Sequence, residues 1–393
     1  MESAETRKNS IDWAMIGIIV VLVIFGIVMI YSASSYEAQT KYGSATYFVT
    51  RQLISTAVGV GGMVFAALIP YTVWRSKISY IIYIVTLVAA FLVLSPIGIE
   101  VNGARRWIDL KFITLQPAEF LKLGVILCMA AIIYQNRDKL GHLKGFIFTV
   151  IPNVVAAAVV AGVTGDLGTA VVIFMIGIIM MFLVAPKKRY VGILILIVVA
   201  LGAIFIAMKP YRLVRIKAWL NLEAYADNES YQPLQALYAI GSGGLFGKGL
   251  GKSTQKLGFL PESENDMIFS IICEEIGVIG GLCLIALIIL LLWRIWVQYR
   301  NTDEMFARLV LAGILAHIGF QTFLNIGVVS SLLPNTGVPL PFISYGGSSI
   351  IVLLLEMGLV ISISRGERLG STAKKMERPV LHEDKDKGVI YYQ

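Results

Sequence analysis

The chain has 393 residues, of which 57% are hydrophobic and only 15% are charged. Because a soluble globular domain carries about a quarter charged residues, this composition excludes a soluble fold and indicates a polytopic membrane protein. The formal net charge of +8 lies largely in loops, where it predicts orientation rather than a nucleic-acid partner, and the three cysteines lack metal-ligand or disulfide-framework spacing.

Ten apolar runs predict transmembrane helices, because a helix crosses the hydrocarbon core of a membrane in about 20 residues. The ten runs are residues 11–31, 53–70, 80–94, 117–134, 146–162, 168–185, 191–208, 267–293, 305–330 and 347–363. The first run is too long for the apolar core of a typical signal peptide, so we expect it to be retained. We therefore predict an all-α polytopic membrane protein with ten transmembrane helices in one domain, residues 11–364.

Lysine and arginine predict the orientation of the chain. If residues 1–10 lie in the cytoplasm, every inner loop is positively charged, and so is the tail 365–393. Both termini are therefore predicted to be cytoplasmic, and the tail, which is short of apolar residues, is predicted to be disordered. The same orientation places the long loop 209–266, between the seventh and eighth predicted helices, outside the cell.

Two predicted outer loops carry basic residues against this charge rule. The loop before the run 117–134 contains Arg105 and Arg106, and the long loop contains Arg212, Arg215 and Lys248. Basic residues kept on the outer side indicate an anionic ligand there. The alternative is that a long loop is translocated to the outer side whatever its charge.

Carboxylates within or beside the apolar runs are functional candidates, because charge is costly at that depth. Glu119 and Lys122 share one helix face and predict either a structural ion pair or the support of a cavity. Asp266 lies where the long loop meets the run 267–293, and Glu274 follows two turns later, where it is expected to line the same cavity. An aspartate at a helix start is also a good N-cap, so both readings of Asp266 stay open.

Three loop segments bear on the same site. Asp166, between two apolar runs, is expected either to cap a helix or to join the site. The glycine-rich segment 241–251 lacks the first glycine of a nucleotide-binding loop, but its backbone could approach a phosphate closely. The segment 333–349 contains three prolines and three glycines. Irregular backbone at membrane depth is tolerated only when it is buried or lines a cavity, so this segment is predicted to form a cavity wall.

Together these motifs resemble the SEDS family, the membrane proteins of bacterial cell-wall synthesis that include FtsW, RodA and SpoVE. The resemblance covers nearly the whole chain and is nearer to the FtsW/SpoVE branch. Its motifs are YSAS at 31–34, NGARRW at 102–107, QPAEF at 116–120, DLG at 166–168, YRxxR at 211–215, LPE at 260–262 with Asp266, EEIG at 274–277 and PLPFISYGGSS at 339–349. One departure is Ser-Glu-Asn at 263–265, where division members often have Ala-His-Thr.

The resemblance implies a peptidoglycan glycosyltransferase that polymerises lipid II at the outer face of the plasma membrane. It also implies a class B penicillin-binding protein as partner, within a divisome or elongasome of membrane proteins. Asp266 matches the family's essential aspartate, and we expect it to act as the general base on the acceptor hydroxyl.

Five basic residues are expected to hold the substrate pyrophosphates: Arg105, Arg106, Arg212, Arg215 and Lys248. A divalent cation, Mg²⁺ or Mn²⁺, is an open alternative for part of that role. Four further residues are expected to support the cavity: Glu119, Lys122, Glu274 and Ser344.

Two other functions stay open. The chain would be a lipid II flippase if Glu119, Lys122 and Glu274 lined a transport path, although the discontinuous helices typical of transporters are not evident in matching halves. It would be a non-catalytic scaffold if it only activated a partner transpeptidase. The sequence does not distinguish a role in division from one in elongation or sporulation.

Overall fold

The computed structural model describes residues 12–75, 77–101, 104–109, 114–207, 210–376, 381–384 and 389–392, and the side chains at 101, 104, 201, 204–206, 210–212 and after 366 lie outside this description. Its α-helices are α1 (Trp13–Tyr42), α2 (Tyr47–Leu68), α3 (Tyr71–Trp74), α4 (Lys77–Leu92), α5 (Pro117–Gln135), α6 (Leu143–Val159), α7 (Leu167–Val184), α8 (Lys188–Ala207), α9 (Pro210–Leu220), α10 (Tyr231–Gly243), α11 (Ile268–Asn301), α12 (Met305–Val329) and α13 (Gly347–Met376). Its strands are β1 (Gly98–Val101), β2 (Ala104–Asp109), β3 (Thr114–Leu115), β4 (Leu381–Asp384) and β5 (Val389–Tyr392).

Each predicted apolar run falls on one of these helices, namely α1, α2, α4 to α8 and α11 to α13. Within the described residues, eight helices are long and apolar enough to cross a membrane, whereas α4 is a shorter apolar helix. One difference is at the end of α1, which continues past residue 31 to Tyr42. Hydropathy does not detect this extension, because its last turns are polar.

The fold is mostly helical, but it also contains β-structure, so the prediction of an all-α protein needs correction. Strands β1, β2 and β3 form an antiparallel sheet between α4 and α5, with Ile108 opposite Leu115 and a bulge that places Glu100 opposite Arg105. Strands of four, six and two residues are too short for alternation to reveal. In the tail, α13 continues to Met376 and β4 pairs with β5; the disorder of 365–393 stays a prediction.

Helix α5 lies at the centre of the helical bundle. In an apolar stretch of 18 residues of α5, 89% is buried inside the protein, whereas the buried share of the corresponding stretch is 33% in α1 and 28% in α2. It packs against α4, α6, α7, α12 and α13. The charged side chains near its start therefore face protein rather than lipid, which is where charge is tolerated within a membrane-spanning segment.

Close contacts at glycines bring α1 and α2 against α13 and the segment before it. A Cβ at Gly358 of α13 would lie 2.4 Å from the main-chain oxygen of Met63 on α2, and one at Gly26 of α1 would lie 2.4 Å from that of Phe342. Such contacts require glycine and are typical of tightly packed membrane helices. They hold α1 and α2 beside residues 342–358.

Candidate active site

A cavity of about 510 Å³ lies where several helices begin or end. Its wall is built from the end of α1, the starts of α2, α5, α7 and α13, strand β2 and parts of the segments 262–266 and 335–337. The cavity brings together five of the residues selected from the sequence: Asp266, Glu119, Asp166, Arg106 and Arg215. The predicted wall segment 333–349 supplies one side of it.

The Asp266 side chain does not cap a helix. Helix α11 begins at Ile268, and its N-cap residue Met267 makes no side-chain cap bond. Asp266 is only 7% exposed, and its Oδ1 is buried with no hydrogen-bond partner among the described residues. A buried carboxylate oxygen without a partner is costly. This arrangement makes Asp266 a candidate for a catalytic role rather than a residue that stabilises a helix as its cap.

The main chain of Asp266 is held by a side chain of α12. Asn325 donates from Nδ2 to the main-chain oxygen of Asp266 at 2.7 Å and to that of Val338 at 2.9 Å. Ser344 donates from Oγ to the main-chain oxygen of Asn265 at 2.6 Å. Ser344 is thus a support of the loops around Asp266. The carboxylate itself is left free of these bonds and projects beside Gly337, where a Cβ would lie 3.9 Å from Oδ2.

Burial raises the pKa of Asp266 to about 7, and the nearby charge of Glu262 adds to that shift. A carboxylate that titrates near neutral pH is well matched to proton transfer. A raised pKa does not identify the site alone, because burial also raises the pKa of Glu264 to about 7 although Glu264 does not line the cavity. Asp266 combines the raised pKa with an unpaired oxygen in the cavity.

Glu119 and Lys122 form a buried ion pair, with 2.8 Å between Glu119 Oε1 and Lys122 Nζ. Both side chains are at most 2% exposed. Only one oxygen of Glu119 is paired in this way. Its Oε2 is buried without a partner among the described residues, and Glu119 lines the cavity. The pair is therefore both a packing contact inside the bundle and part of the cavity wall.

A polar ladder on α12 continues from this ion pair, and it was missed from the sequence. Lys122 Nζ also donates to Gln321 Oε1 at 2.8 Å, and Gln321 Nε2 donates to the main-chain oxygen of Pro339 at 2.9 Å. His317 Nε2 lies 2.9 Å from Gln321 Oε1, and His317 Nδ1 lies 2.8 Å from Glu356 Oε1. The available signal was the spacing of four between polar residues 317, 321 and 325 in an apolar helix.

Asp166 caps α7 and also lines the cavity. Its Oδ1 accepts a hydrogen bond from Thr169 N at 3.0 Å, and its Oδ2 accepts one from Gln116 Nε2 at 3.1 Å. Both readings offered by the sequence are thus present in one residue. Because both oxygens are occupied, Asp166 is less available for chemistry than Asp266.

The basic residues chosen from the sequence do not all reach the cavity. Arg106 lines it and donates from Nη2 to the main-chain oxygen of Gly165 at 3.2 Å, and Arg215 lines it as well. Arg105, on the opposite face of β2, is exposed and its Nε lies 3.4 Å from Glu100 Oε2. The side chain of Arg212 lies outside the described residues.

Glu274 and Lys248 are placed elsewhere, which corrects the expectation that they share the cavity. Glu274 is fully buried and accepts from Lys248 Nζ at 2.6 Å, from the main-chain N–H of Thr254 at 3.1 Å, and from the hydroxyls of Ser242 and Ser253. The neighbouring Glu275 accepts from Lys256 Nζ at 2.7 Å and from the Ser32 hydroxyl. These two carboxylates hold residues 244–256, which overlap the glycine-rich segment 241–251 and which we call the latch segment.

A break in α11 follows the two glutamates. Gly277 has φ 82° and ψ 174°, which interrupts the helix. The latch segment forms hydrogen bonds with the main-chain groups that the break frees. Lys248 N donates to the main-chain oxygen of Glu274 at 2.9 Å, and Val278 N donates to the main-chain oxygen of Gly244 at 3.0 Å. The expectation placed Asp266 within the helix, but α11 begins at Ile268, so helical spacing does not relate the side chain of Asp266 to that of Glu274. The break offers the main-chain oxygens of both glutamates to the latch segment.

Comparison with known proteins gives a consistent result. The model of the FtsW/RodA/SpoVE family, described as cell cycle protein, matches residues 12–369. Stage V sporulation protein E of Bacillus subtilis is 34% identical over 92% of this chain and 99% of its own length. The probable peptidoglycan glycosyltransferase FtsW of Trichlorobacter lovleyi is 37% identical over 94% of this chain and 97% of its own.

Two solved structures share the fold. One is a chain from a structure that describes the structural coordination of polymerization and crosslinking by a peptidoglycan synthase complex. It matches with a TM-score of 0.75 and 25% identity, and the match covers 91% of this chain and 98% of that one. The other is the rod shape determining protein RodA of Thermus thermophilus, with a TM-score of 0.67, 26% identity and coverage of 92% and 98%. With its apolar helices, the chain is a multi-pass membrane protein, and these matches show that it belongs to the FtsW/RodA/SpoVE family.

Proposed function

We propose that this chain is a peptidoglycan glycosyltransferase that polymerises lipid II into β-1,4-linked glycan strands. The observation that carries the proposal is the buried, unpaired carboxylate oxygen of Asp266 in a cavity that also contains the guanidinium groups of Arg106 and Arg215. Several relatives named probable peptidoglycan glycosyltransferase FtsW are 35–37% identical over most of the chain, which supports the reaction class.

In this mechanism Asp266 takes the proton from the 4-hydroxyl of the acceptor sugar. That oxygen attacks C1 of the donor sugar and forms the new glycosidic bond as the bond from C1 to the pyrophosphate breaks. The pyrophosphate leaves with the bonding electron pair, and the configuration at C1 inverts. Removing water from the cavity strengthens each charge contact made there.

Arg106 and Arg215 are the cations proposed to stabilise the departing pyrophosphate, because a guanidinium offers forked donors to phosphate. Arg212 keeps this proposed role. Arg105 and Lys248 do not, since their partners are Glu100 and Glu274. Among the described residues no three His, Cys, Asp or Glu side chains are grouped to hold a metal ion. Mg²⁺ or Mn²⁺ is often held chiefly by substrate phosphates, and such an ion would share the neutralisation of the pyrophosphate without a protein cluster of this kind.

The proposed topology has ten spans, both termini in the cytoplasm and the cavity on the outer side. The charge of the loops supports this orientation. The cavity supports it too, because Tyr42, Arg106, Asp166, Asp266 and Asn335 come from five different loops or helix ends that the charge rule assigns to the outside. An outer cavity suits polymerisation at the membrane surface.

A class B penicillin-binding protein is the proposed partner, in a divisome or elongasome. The structural similarity to a chain from a peptidoglycan synthase complex that coordinates polymerization and crosslinking supports a transpeptidase beside this chain. The flippase alternative gains little from the break at Gly277, because the latch segment fills it and both neighbouring glutamates have protein donors.

A polymerisation assay tests the proposal. Purified protein is given lipid II, with and without the transpeptidase, and with Mg²⁺ or EDTA. We expect glycan strands from the wild type and only a small residual amount from Asp266→Asn. Transfer of labelled lipid II across vesicles without polymer would favour a flippase. Stimulation of crosslinking by Asp266→Asn as strong as by the wild type, without polymer, would favour a scaffold.

A further inference from the structure

The end of α1 and the start of α2 place a stack of flat side chains on the cavity wall. The rings of Tyr42 and Tyr47 lie 3.8 Å apart at an interplanar angle of 5°. The guanidinium carbon of Arg51 lies 4.6 Å from the centre of the Tyr47 ring. All three residues line the same cavity as Asp266. We call Tyr42, Tyr47 and Arg51 the stacked wall.

Arg51 has no carboxylate within 4 Å of it among the described residues, and it shares this with Arg106 and Arg215, the other two cations that line the cavity. Lys122 and Arg105, which do not line it, pair with Glu119 and Glu100. Stacking on an aromatic ring occupies the face of a guanidinium and leaves the N–H donors at its edge free. Arg51 therefore presents a fixed, uncompensated cation to the cavity.

The stacked wall is tied to the loops around Asp266. Gly346 N donates to Gln52 Oε1 at 3.2 Å, and the rings of Phe48 and Tyr345 meet edge to face at 4.9 Å. Tyr345 N in turn donates to the main-chain oxygen of Glu264 at 2.9 Å. Because these contacts join the start of α2 to the segment that carries Asp266, Arg51 is positioned relative to the proposed base before any ligand arrives.

We propose that Arg51, oriented by Tyr47 and Tyr42, binds the pyrophosphate of a lipid-linked substrate in this cavity. The inference rests on the proposed function and adds a cation to it on a different wall from Arg106. Polymerisation joins two lipid-linked molecules, each with its own pyrophosphate, so cations on more than one wall suit the reaction. Fixed, forked guanidinium donors are the groups that proteins use for this chemistry.

Binding without turnover tests this assignment. The probes are a polyprenyl pyrophosphate, the polyprenyl monophosphate of the same chain length, and phosphatidylglycerol, each titrated against the full chain. Arg51→Ala should weaken binding of the pyrophosphate about tenfold or more, as expected for losing charged hydrogen bonds. Arg51→Lys keeps the charge but loses the fork and the stack, and should fall between. Lys41→Ala is the matched control, since Lys41 pairs with Glu37 and its side chain is 62% exposed; it should bind within twofold of the wild type.

Unchanged pyrophosphate affinity in both Arg51 variants would overturn the proposal. An equal loss for phosphatidylglycerol and for the pyrophosphate would overturn it too, because Arg51 would then contact bilayer headgroups. Thermal melting checks folding, and if Arg51→Ala is unstable, Arg51→Lys decides. Lack of polymerisation by the wild type would count against the proposed function, while the binding result for Arg51 would stand by itself.

Discussion

Asp266 and Glu274 lie in the same acidic stretch of sequence, yet their carboxylates have opposite surroundings. Glu274 is fully buried and receives bonds from Lys248, from two serine hydroxyls and from main-chain N–H groups of the latch segment. Asp266 is also buried, but its Oδ1 receives none from the described residues. One carboxylate has its hydrogen-bonding capacity filled by protein, and the other is open to the cavity.

This contrast separates a carboxylate that holds a segment of the chain from one that is proposed to act in catalysis. Donors around Glu274 stabilise its charge, so the residue fixes the latch segment and has no lone pair to offer a substrate. Burial destabilises the charge of Asp266 and raises its pKa to about 7, which suits the proposed role of a base near neutral pH. The number of carboxylates in a stretch is therefore less informative than what each one accepts.

Replacing Asp266 should give the largest effect. Asp266→Asn keeps the shape of the side chain but removes the base, so polymerisation should fall by a factor of about 10²–10⁴. The fold should persist, because a neutral amide is easier to bury than a carboxylate. Polymerisation by purified protein, with thermal melting of the same sample, measures both. Activity within twofold of the wild type would remove Asp266 from the mechanism.

The Glu119–Lys122 pair is an intermediate case, with one oxygen paired and the other open. Lys122→Met should destabilise the protein by about 3–5 kcal/mol, because it leaves a buried carboxylate unpaired. Exchanging the two charges should restore only part of this loss, since a carboxylate at 122 would face Gln321 Oε1. Denaturation of the single and exchanged variants tests the pair. Equal stability of Lys122→Met and the wild type would show that the two residues act independently.

Removing the structural carboxylate should affect stability. Glu274→Ala leaves Lys248 and N–H groups of the latch segment without their acceptor, at a cost of about 1–3 kcal/mol. Lys248→Ala should cost less, because its side chain is 33% exposed and Glu274 keeps other donors. A double-mutant cycle of the two in denaturation experiments gives their coupling. Additive losses would mean that the ion pair does not hold the latch segment.

Neighbouring arginines repeat the contrast on a smaller scale. Arg106 lines the cavity, whereas Arg105 is exposed and lies beside Glu100. Arg106→Ala should weaken lipid II binding about tenfold, while Arg105→Ala should change it by less than twofold, as expected for an exposed pair. Titration of lipid II against both variants tests this. Equal losses would show that the strand face does not decide the role.

Features encoded locally could be predicted from the sequence. The apolar runs and the position of Asp266 at a helix start depend on neighbours in the chain. The partner of Glu274 could not be predicted, because it depends on the break at Gly277 and on a segment some twenty residues away. The stacked wall was missed for a similar reason: Tyr42 reaches Tyr47 only because α1 continues beyond its apolar part.

The pH dependence of polymerisation tests most directly whether an open, buried Asp266 is the base. The base acts when ionised, and burial raises its pKa to about 7. The rate should therefore rise about tenfold per pH unit from pH 5 and level off above 7. The stability of the fold should fall as pH rises, because the folded state favours the neutral form of Asp266. The stabilisation from this residue is complete below its ordinary pKa of 3.8 and is lost as pH rises through about 7.

The decisive measurement is the pH profile of kcat/KM for lipid II polymerisation by the purified protein between pH 5 and 8.5. A rising limb with a midpoint near 7 is the predicted result. A profile that is flat across this range, as an aspartate with an ordinary pKa would give, would contradict the account.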